Sequence, residues 1–492
     1  MNKKNTWAEL GTILDADHIS DNSGMDERLP LNGAPGAMLN AYAKVCPQNV
    51  EEVQKIVLWA NKRGTPLVPV SSGGPHYHAD TAPGMPGAVL VDLSQMNKIL
   101  SIDRRNRLAM IQPGVTHCQL LPELKKAGLR INMPLMPRRN KSVIASLLER
   151  EPVMSPKFQW NLLEPLRSLE IIWGNGDHFF SGSGFFRGET QSECEQGIVP
   201  AQGPGAGPSQ VDFYKFVSAA QGSMGIVTWA SVKCEVLPQI RKLFFIPSQH
   251  LEDLIPFTYK LVKYRFGDEL FIVNNACLAN LLSNDPGKIK KLQNELPSWA
   301  VVVDVTGGNY FPEDQVAAQE QDIDDIAQSF GLSLVPQVNG CMGYELLKRI
   351  LGDYEDPHWK HGYKNYSEEI FFLTTLDRTP DMIKAMKNLS DEHNYPVSDI
   401  GVYIQPAHQG VCCHCEFILP VDRGNSPEIQ KATFLSQIAA PKLFRQGAFF
   451  SRPYGAWAPM VYNADAGAKD ALRKIKQIFD PNGVMNPGKL CF

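Results

Sequence analysis

The stretch Pro69-Val-Ser-Ser-Gly-Gly-Pro-His-Tyr-His78 decides how this chain is read. It continues Thr65-Pro-Leu-Val-Pro-Val70, an apolar run that reads as a short strand. Small residues directly after a strand let successive backbone N–H groups point into one concavity, which can hold a pyrophosphate without a lysine. Two histidines and a tyrosine follow, within reach of whatever that anion carries. A Gly-Gly pair is also the mark of an ordinary turn, so the neighbouring segments decide.

Upstream, residues 50–63 carry apolar side chains at helical spacing, and Gly64 stops the helix. Downstream, Ala88-Val-Leu-Val-Asp92 reads as a buried strand, followed by Leu100-Ser-Ile-Asp-Arg104 and Arg107-Leu-Ala-Met-Ile-Gln112. The last of these ends at Pro113-Gly-Val-Thr116, before a helix over 118–127 closed by Gly128. Helix, strand, loop, several strands and helix in that order predict an α+β module, not a doubly wound sheet. Two apolar runs around Gly174-Asn-Gly predict a hairpin over 166–184. The Gly/Pro-rich residues 197–210 are an ordered loop or a lid. Gly222-Ser-Met-Gly-Ile-Val-Thr228 leads into a strand over 230–237, ended by Pro238. From 239 to about 440, strands such as 242–246, 300–305 and 369–373 alternate with helical patterns such as 315–329 and 380–392. That pattern predicts one antiparallel sheet covered by helices. A helix over 468–478 and a turn-rich tail close the chain.

A chain of 492 residues is too long for one compact core. A hydrophobic fraction of 43%, a charged fraction of 20% and a net charge of −4 describe a globular chain with no electrostatic footprint for nucleic acid. No apolar run is long enough to span a bilayer and no signal core opens the sequence, so a cytoplasmic protein is expected. Among the ten cysteines the one Cys-x-x-Cys spacing is Cys412 to Cys415, inside Cys412-Cys-His-Cys415, and no second such pair stands by to complete a four-ligand set, so no metal site is expected; the cysteines read as reduced, mostly buried thiols.

Five segments come in a characteristic order: Gly73-Gly74 after its strand, Val91-Asp-Leu-Ser-Gln-Met-Asn97, Gln112-Pro-Gly-Val-Thr116, Gly222-Ser-Met-Gly-Ile-Val-Thr228, and Ile478-Phe-Asp-Pro-Asn-Gly-Val-Met-Asn-Pro-Gly-Lys489. Together they resemble the FAD-dependent oxidoreductases of the vanillyl-alcohol oxidase and p-cresol methylhydroxylase (PCMH) superfamily. Lys141–Arg150 with Met154-Ser-Pro156 is most similar to the vanillyl-alcohol oxidase branch. The resemblance implies a two-subdomain PCMH-type FAD-binding domain over 1–238 (core 39–238). It implies a cap or substrate domain over 239–440, and a segment over 441–492 that returns to the FAD domain. It implies that Val70, Ser71, Ser72, Gly73, Gly74, Pro75 and His76 hold the FAD pyrophosphate, and that Pro113, Gly114 and Val115 line its adenine-ribose side. Ser142, Val143 and Ser146 would run along the cofactor with Glu149 nearby. Gly225, Ile226 and Val227, on an edge strand, would meet it by main chain.

The resemblance also implies chemistry. A hydride would pass from a hydroxyl-bearing or phenol-conjugated carbon to the flavin N5, on a small aromatic substrate. Tyr77 and Arg452 match groups that bind the phenolate in phenol-oxidising members, with His78 or His408 as the base. Ser451 stands where those enzymes have a second tyrosine, and their active-site aspartate falls near Phe158 or Gln159, with no carboxylate. The alternatives are a 2-hydroxy-acid or other alcohol dehydrogenase, and a non-catalytic flavoprotein subunit passing electrons to a partner protein. A fold that has lost its flavin stays open too. The 2-hydroxy-acid group's His-x-Gly-Asp-Gly-Asn metal motif is missing from Gln405–Glu416. His76 or His78 would serve as a covalent flavin link or as simple hydrogen-bonding groups. A homodimer is expected by resemblance.

Plainer readings stand beside these. His414 and Glu416 share one strand face, as metal ligands or an acid–base pair, but a sheet histidine is more often satisfied by a backbone carbonyl. Arg452 would equally serve an interdomain salt bridge. The aromatic and basic run His358-Trp-Lys-His-Gly-Tyr-Lys-Asn-Tyr366 would line a substrate mouth or an oligomer contact, and more often such a run is a surface loop.

Overall fold

The computed structural model describes residues 3–21, 41–74, 76, 81–157, 165–182, 213–352 and 357–492. The 197–210 segment, Pro75, Tyr77, His78, Phe158 and Gln159 lie outside the described residues.

The first sheet has four strands in the order β1 (Ile19–Asp21), β2 (Ala43–Val45), β4 (Val89–Asp92), β3 (Leu67–Val70). β2 and β3 both run parallel to β4. The helix Val50–Arg63 makes the crossover between β2 and β3. Asn49 caps it by accepting from the Glu52 N–H, and Gly64 ends it at φ 61, a left-handed turn that glycine adopts without a Cβ clash. Its buried Val53, Ile56, Val57 and Ala60 lie on one face, as their spacing predicts.

The second sheet is antiparallel, in the order β5 (Ile99–Asp103), β6 (Leu108–Ile111), β10 (Gly225–Lys233), β8 (Leu166–Trp173), β9 (His178–Gly182). The Gly-Asn-Gly hairpin is present over the described residues, with Ile172 opposite His178 and Gly176 at φ 91. The strand expected over 230–237 instead starts at Gly225 and breaks at Cys234. Its last part, β11 (Glu235–Val236), pairs with β7 (Leu129–Arg130) as a separate ribbon. β10 is also interior to its sheet, which corrects the edge-strand expectation. Its pairing with β6 covers only Ala230–Lys233, however, while β8 pairs from Gly225 onward. The Gly225–Val227 stretch therefore keeps one side free of strand pairing.

The third sheet carries the rest of the architecture. Its six strands run β12 (Ile240–Ser248), β14 (Trp299–Gly307), β13 (Leu270–Asn274), β18 (Gly401–Ala407), β19 (Cys412–Val421), β17 (Tyr366–Thr374). Every pairing is antiparallel. A small ribbon, β15 (Gln337–Val338) with β16 (Cys341–Met342), flanks it. Helices Leu251–Tyr264, Pro312–Ser329, Thr379–Glu392 and Ser426–Arg445 bury Leu254, Ile323, Met386 and Leu435 in the core on one face. The helix Asn275–Leu282 buries Leu278 and Leu281 in the core on the other. The nine described cysteines are all free; four are buried and five half-buried, so fewer are interior than expected. Among the described residues no helix is long and apolar enough to cross a membrane.

The tail returns to the first two sheets. Leu67 of β3 donates to Val484 O and accepts from the Asn486 N–H, extending that sheet. The helix Ala466–Phe479 contributes Lys476, whose buried ammonium donates to Asp480 at 2.5 Å, to Met485 O at 2.9 Å and to Ser223 O. Ser223 lies in the turn that feeds β10, so this lysine fixes the open stretch of β10 to the tail. Lys476→Met removes the cation and leaves Asp480 buried. We expect a loss of about 3–5 kcal/mol in urea unfolding; a loss below about 0.5 kcal/mol, the size of a surface change, would show that the clamp is not structural.

Candidate active site

Two cavities meet along a surface that carries Arg138, Lys141 and Arg452. The first has an open volume of about 1060 Å³. The end of β3 (Val70) with Ser71, Ser72 and His76 forms one wall, and Gly222 with Gly225–Val227 forms another. These walls are neighbours because Gly222 packs on β3: a Cβ there would lie 2.5 Å from Pro69 Cγ, and its φ of +67 is left-handed. Pro113 and Glu149 complete the set of expected residues that reach the cavity.

Seven expected contacts are not among the residues that line this cavity. Gly73 donates its N–H to Asn140 O at 2.9 Å, and Gly74 O accepts from the Asn140 amide at 3.2 Å, so the Gly-Gly pair is tied to protein. Gly114 presses on the 93–96 turn, where a Cβ would come within 2.6–2.8 Å of three carbonyl oxygens. Val115 and Val143 are core residues. Ser142 caps the helix Val143–Leu148, donates to Pro113 O at 2.5 Å, and its N–H donates to Ser72 Oγ at 3.0 Å. Ser146 donates to Glu151 at 2.6 Å. Gly114, Val115, Ser142, Val143 and Ser146 are buried and support the wall from behind.

The second cavity, about 760 Å³, shares Arg138, Lys141 and Arg452 with the first. Its remaining surface includes Glu151, His358, Lys360, His361, Glu369 and Glu416, with the aromatic faces of Trp359, Phe371 and Tyr403. The His358–Tyr366 run is thus no surface loop: Trp359 and His361 are buried, and His358 Nε2 lies 3.0 Å from Met136 O. Cross-strand register builds the rest. Glu416 sits opposite Phe371 on β17 and Tyr403 on β18, and Glu369 lies two residues before Phe371, so all four share a sheet face.

Charge here is compensated by design of position. Lys141 binds Glu149 at 2.7 Å and Glu151 at 3.0 Å. Burial alone would raise the Glu151 pKa, but Lys141, and then Arg452, hold it far below the usual carboxylate range. Lys360 binds Glu369 at 3.0 Å and also pairs with Glu416. Burial pushes Glu369 up to about 7; Lys360 opposes this and the Glu416 charge adds to it. Burial acts on Glu416 in the same sense, but Lys360 and His414 outweigh it and keep it ionised. His414 Nε2 lies 3.2 Å from Glu416, in place of the expected backbone carbonyl. Burial lowers the pKa of His358, and of His361 to about 3, so both are neutral.

Arg452 differs from its neighbours. It is 7% exposed, and its guanidinium stacks over Phe371 at 4.1 Å. It makes no hydrogen bond or ion pair with a described residue, so the interdomain salt bridge is absent among them. Gln221 fixes the next residue by donating to Pro453 O at 3.0 Å. His408 lines neither cavity. It occupies the β18–β19 turn at φ 50, half-buried, where the following N–H of Gln409 donates to Pro156 O. Among the described residues no three metal-ligating side chains converge.

Residues 41–149 match the family described as FAD binding domain, and residues 458–490 match the C-terminal domain of FAD linked oxidases. The cofactor is FAD. The first match covers both the β3 turn and the Pro113 and Glu149 walls, so the first cavity is where these residues would hold it. Its small side chains and the unpaired side of β10 fit an extended dinucleotide. The chain is 22% identical over 496 residues to D-2-hydroxyglutarate dehydrogenase of Stutzerimonas stutzeri, covering 99% of this chain and 97% of that one. Its fold is that of 4-ethylphenol oxidase from Gulosibacter chungangensis (TM-score 0.81, 19% identity, 99% of this chain and 96% of that one). It is also that of p-cresol methylhydroxylase (TM-score 0.79, 18% identity, 100% and 97%). The chain thus has the fold and the two domains of an FAD-linked oxidoreductase. Gly222→Val would force the turn off β3. It should yield folded protein with several-fold less FAD by visible absorbance; a full complement of FAD would separate this turn from the cofactor site.

Proposed function

We propose that this chain oxidises a small monoanionic substrate at a hydroxyl-bearing or phenol-conjugated carbon, using FAD held in the first cavity. The 239–440 region acts as the cap that shapes the second cavity. One observation carries the reading: the buried Arg452 guanidinium, near the Glu151 charge but without a direct ion pair or hydrogen bond to a described residue, at the surface shared by both cavities. A buried cation of this kind is stable only when an anion joins it. Phe371, Trp359 and Tyr403 suit an aromatic body beside that anion.

Bound FAD supplies the two-electron acceptor. Arg452 anchors the substrate's carboxylate or phenolate by charge-assisted hydrogen bonds. The substrate C–H bond breaks with its electron pair leaving toward the acceptor, the hydroxyl proton passes to a Glu369 carboxylate oxygen, and a carbonyl forms. Glu369 titrates close to neutral pH, where a general base works best, and stands in for the carboxylate missing near Gln159. Holding the substrate between Arg452 and Glu369 supplies orientation. The reading as a 2-hydroxy-acid dehydrogenase shares every one of these roles, with a carboxylate in place of the phenolate.

Two measurements test this. Anaerobic addition of 4-hydroxybenzyl alcohol or of a 2-hydroxy monocarboxylate should bleach the flavin absorbance; no bleaching by any member of either class would contradict the reading. Benzoate should perturb the flavin spectrum, and Arg452→Met should weaken its binding roughly tenfold to a hundredfold, the value of a charged hydrogen bond of about 1.5–3 kcal/mol. Equal affinity in the variant would place the anion elsewhere.

A further inference from the structure

Glu369 and Glu416 are diagonal neighbours on adjacent strands of one sheet face, Glu416 buried and Glu369 half-buried. Two carboxylates so placed repel each other across a sheet and cannot both ionise in a dry cavity without a cation. The cation comes from outside the sheet. Lys360 sits on the short helical turn Trp359–His361, anchored by the buried indole of Trp359, and enters between the two carboxylates. Resting on the functional reading above, we propose that Lys360 is a positioning residue of the acid–base unit. Its ammonium holds Glu416 as the permanent anion and leaves Glu369 as the carboxyl that exchanges the substrate proton.

The surroundings favour that division of labour. On β19, His414 lies against Glu416 and not against Glu369, adding a second partner to the residue that stays charged. On β17, Glu368 and Ser367 flank Glu369; Ser367 Oγ donates to it at 3.4 Å, a weak bond that leaves its proton free to move. From the opposite wall Arg138, Lys141 and Glu151 face the cavity, with Lys141 and Glu151 already paired to each other. Tyr403 on β18 and Cys277 on the helix Asn275–Leu282 lie near Glu416, and burial keeps both protonated. His358 and His361 on Lys360's own turn are neutral, and Arg452 faces the same cavity from the tail.

An ammonium in a cavity wall has a simpler use, as a direct ligand for the substrate anion. The two uses differ in sign. With Lys360 gone, the two carboxyls lose their shared cation and hold their protons to higher pH. With Glu416 neutralised, Glu369 faces Lys360 without a competing charge and releases its proton at lower pH. Infrared difference titration of the FAD-loaded protein, without substrate, reads the carboxylic-acid band directly, and Glu369→Gln identifies it by removing it. Lys360→Met should move that band's midpoint up by about one pH unit or more, Glu416→Gln should move it down, and Lys360→Arg should restore most of the wild-type behaviour. The acid limb of kcat/KM should move with the band in each variant. An unmoved midpoint in both variants, together with benzoate binding lost in Lys360→Met, would overturn the proposal in favour of a substrate ligand. If no substrate turns over, the infrared titration still decides the role of Lys360, so failure of the functional reading and failure of this one are separable. Should Lys360→Met not fold, Glu416→Gln with Lys360→Arg gives the same two-sided test.

Discussion

Charge buried at the junction of two cavities is the constraint on which the rest of this molecule turns. Moving an ion from water into protein costs several kcal/mol unless a partner and hydrogen bonds replace the lost hydration. Lys141 meets that cost with Glu149 and Glu151, and Lys360 meets it with Glu369 and Glu416. Arg452 meets it with the face of Phe371 and the fields of its neighbours alone. On the proposed function, the site is preorganised for one more negative group, supplied by the substrate. The count matters for specificity: a second anionic group would find the other cations of the wall already engaged.

The architecture serves this junction. Three segments far apart in sequence meet there: the helix-capped wall around Lys141, the β17–β19 face with its turn at 359–361, and the tail that carries Arg452. The tail is held by the Leu67 pairing with Val484 and Asn486, by the Lys476 clamp beneath β10 and by the Gln221 bond to Pro453. The same 219–222 turn lines the first cavity and, through Gln221, fixes the residue after Arg452, so the two cavities are coupled through one short stretch of backbone. The incomplete pairing of β10 is the complementary device on the cofactor side: strand geometry up to Gly225 with main chain left available.

Much of this was legible in the sequence, and the parts that were not have a common cause. The helix over 50–63, the hairpin at Gly174-Asn-Gly and the antiparallel sheet after 239 follow from local periodicity and turn chemistry, which a single chain displays. Val70–Ser72, Pro113 and Gly225–Val227 were reachable through motif order. Gly114 and Ser142 are packed behind the first cavity's surface: a motif marks a tight backbone without saying which side of it is wet. Arg452, at the surface the two cavities share, was singled out because its neighbours resemble a known pattern. Lys360, Glu369 and Glu151 were missed because no spacing connects them: register places Glu369 beside Glu416, and only the packing of a turn places Lys360 between them. The lone signal was the density of aromatic and basic residues in His358–Tyr366, a pattern that surface loops share.

The most direct test is a crystal structure of the FAD-loaded protein with benzoate bound. The account predicts the carboxylate in the second cavity on the Arg452 guanidinium, with N···O distances of about 2.7–2.9 Å, and the ring against Phe371 or Tyr403. Benzoate bound away from Arg452, or Arg452 found paired with a protein carboxylate while the cavity stays empty at saturating benzoate, would contradict it.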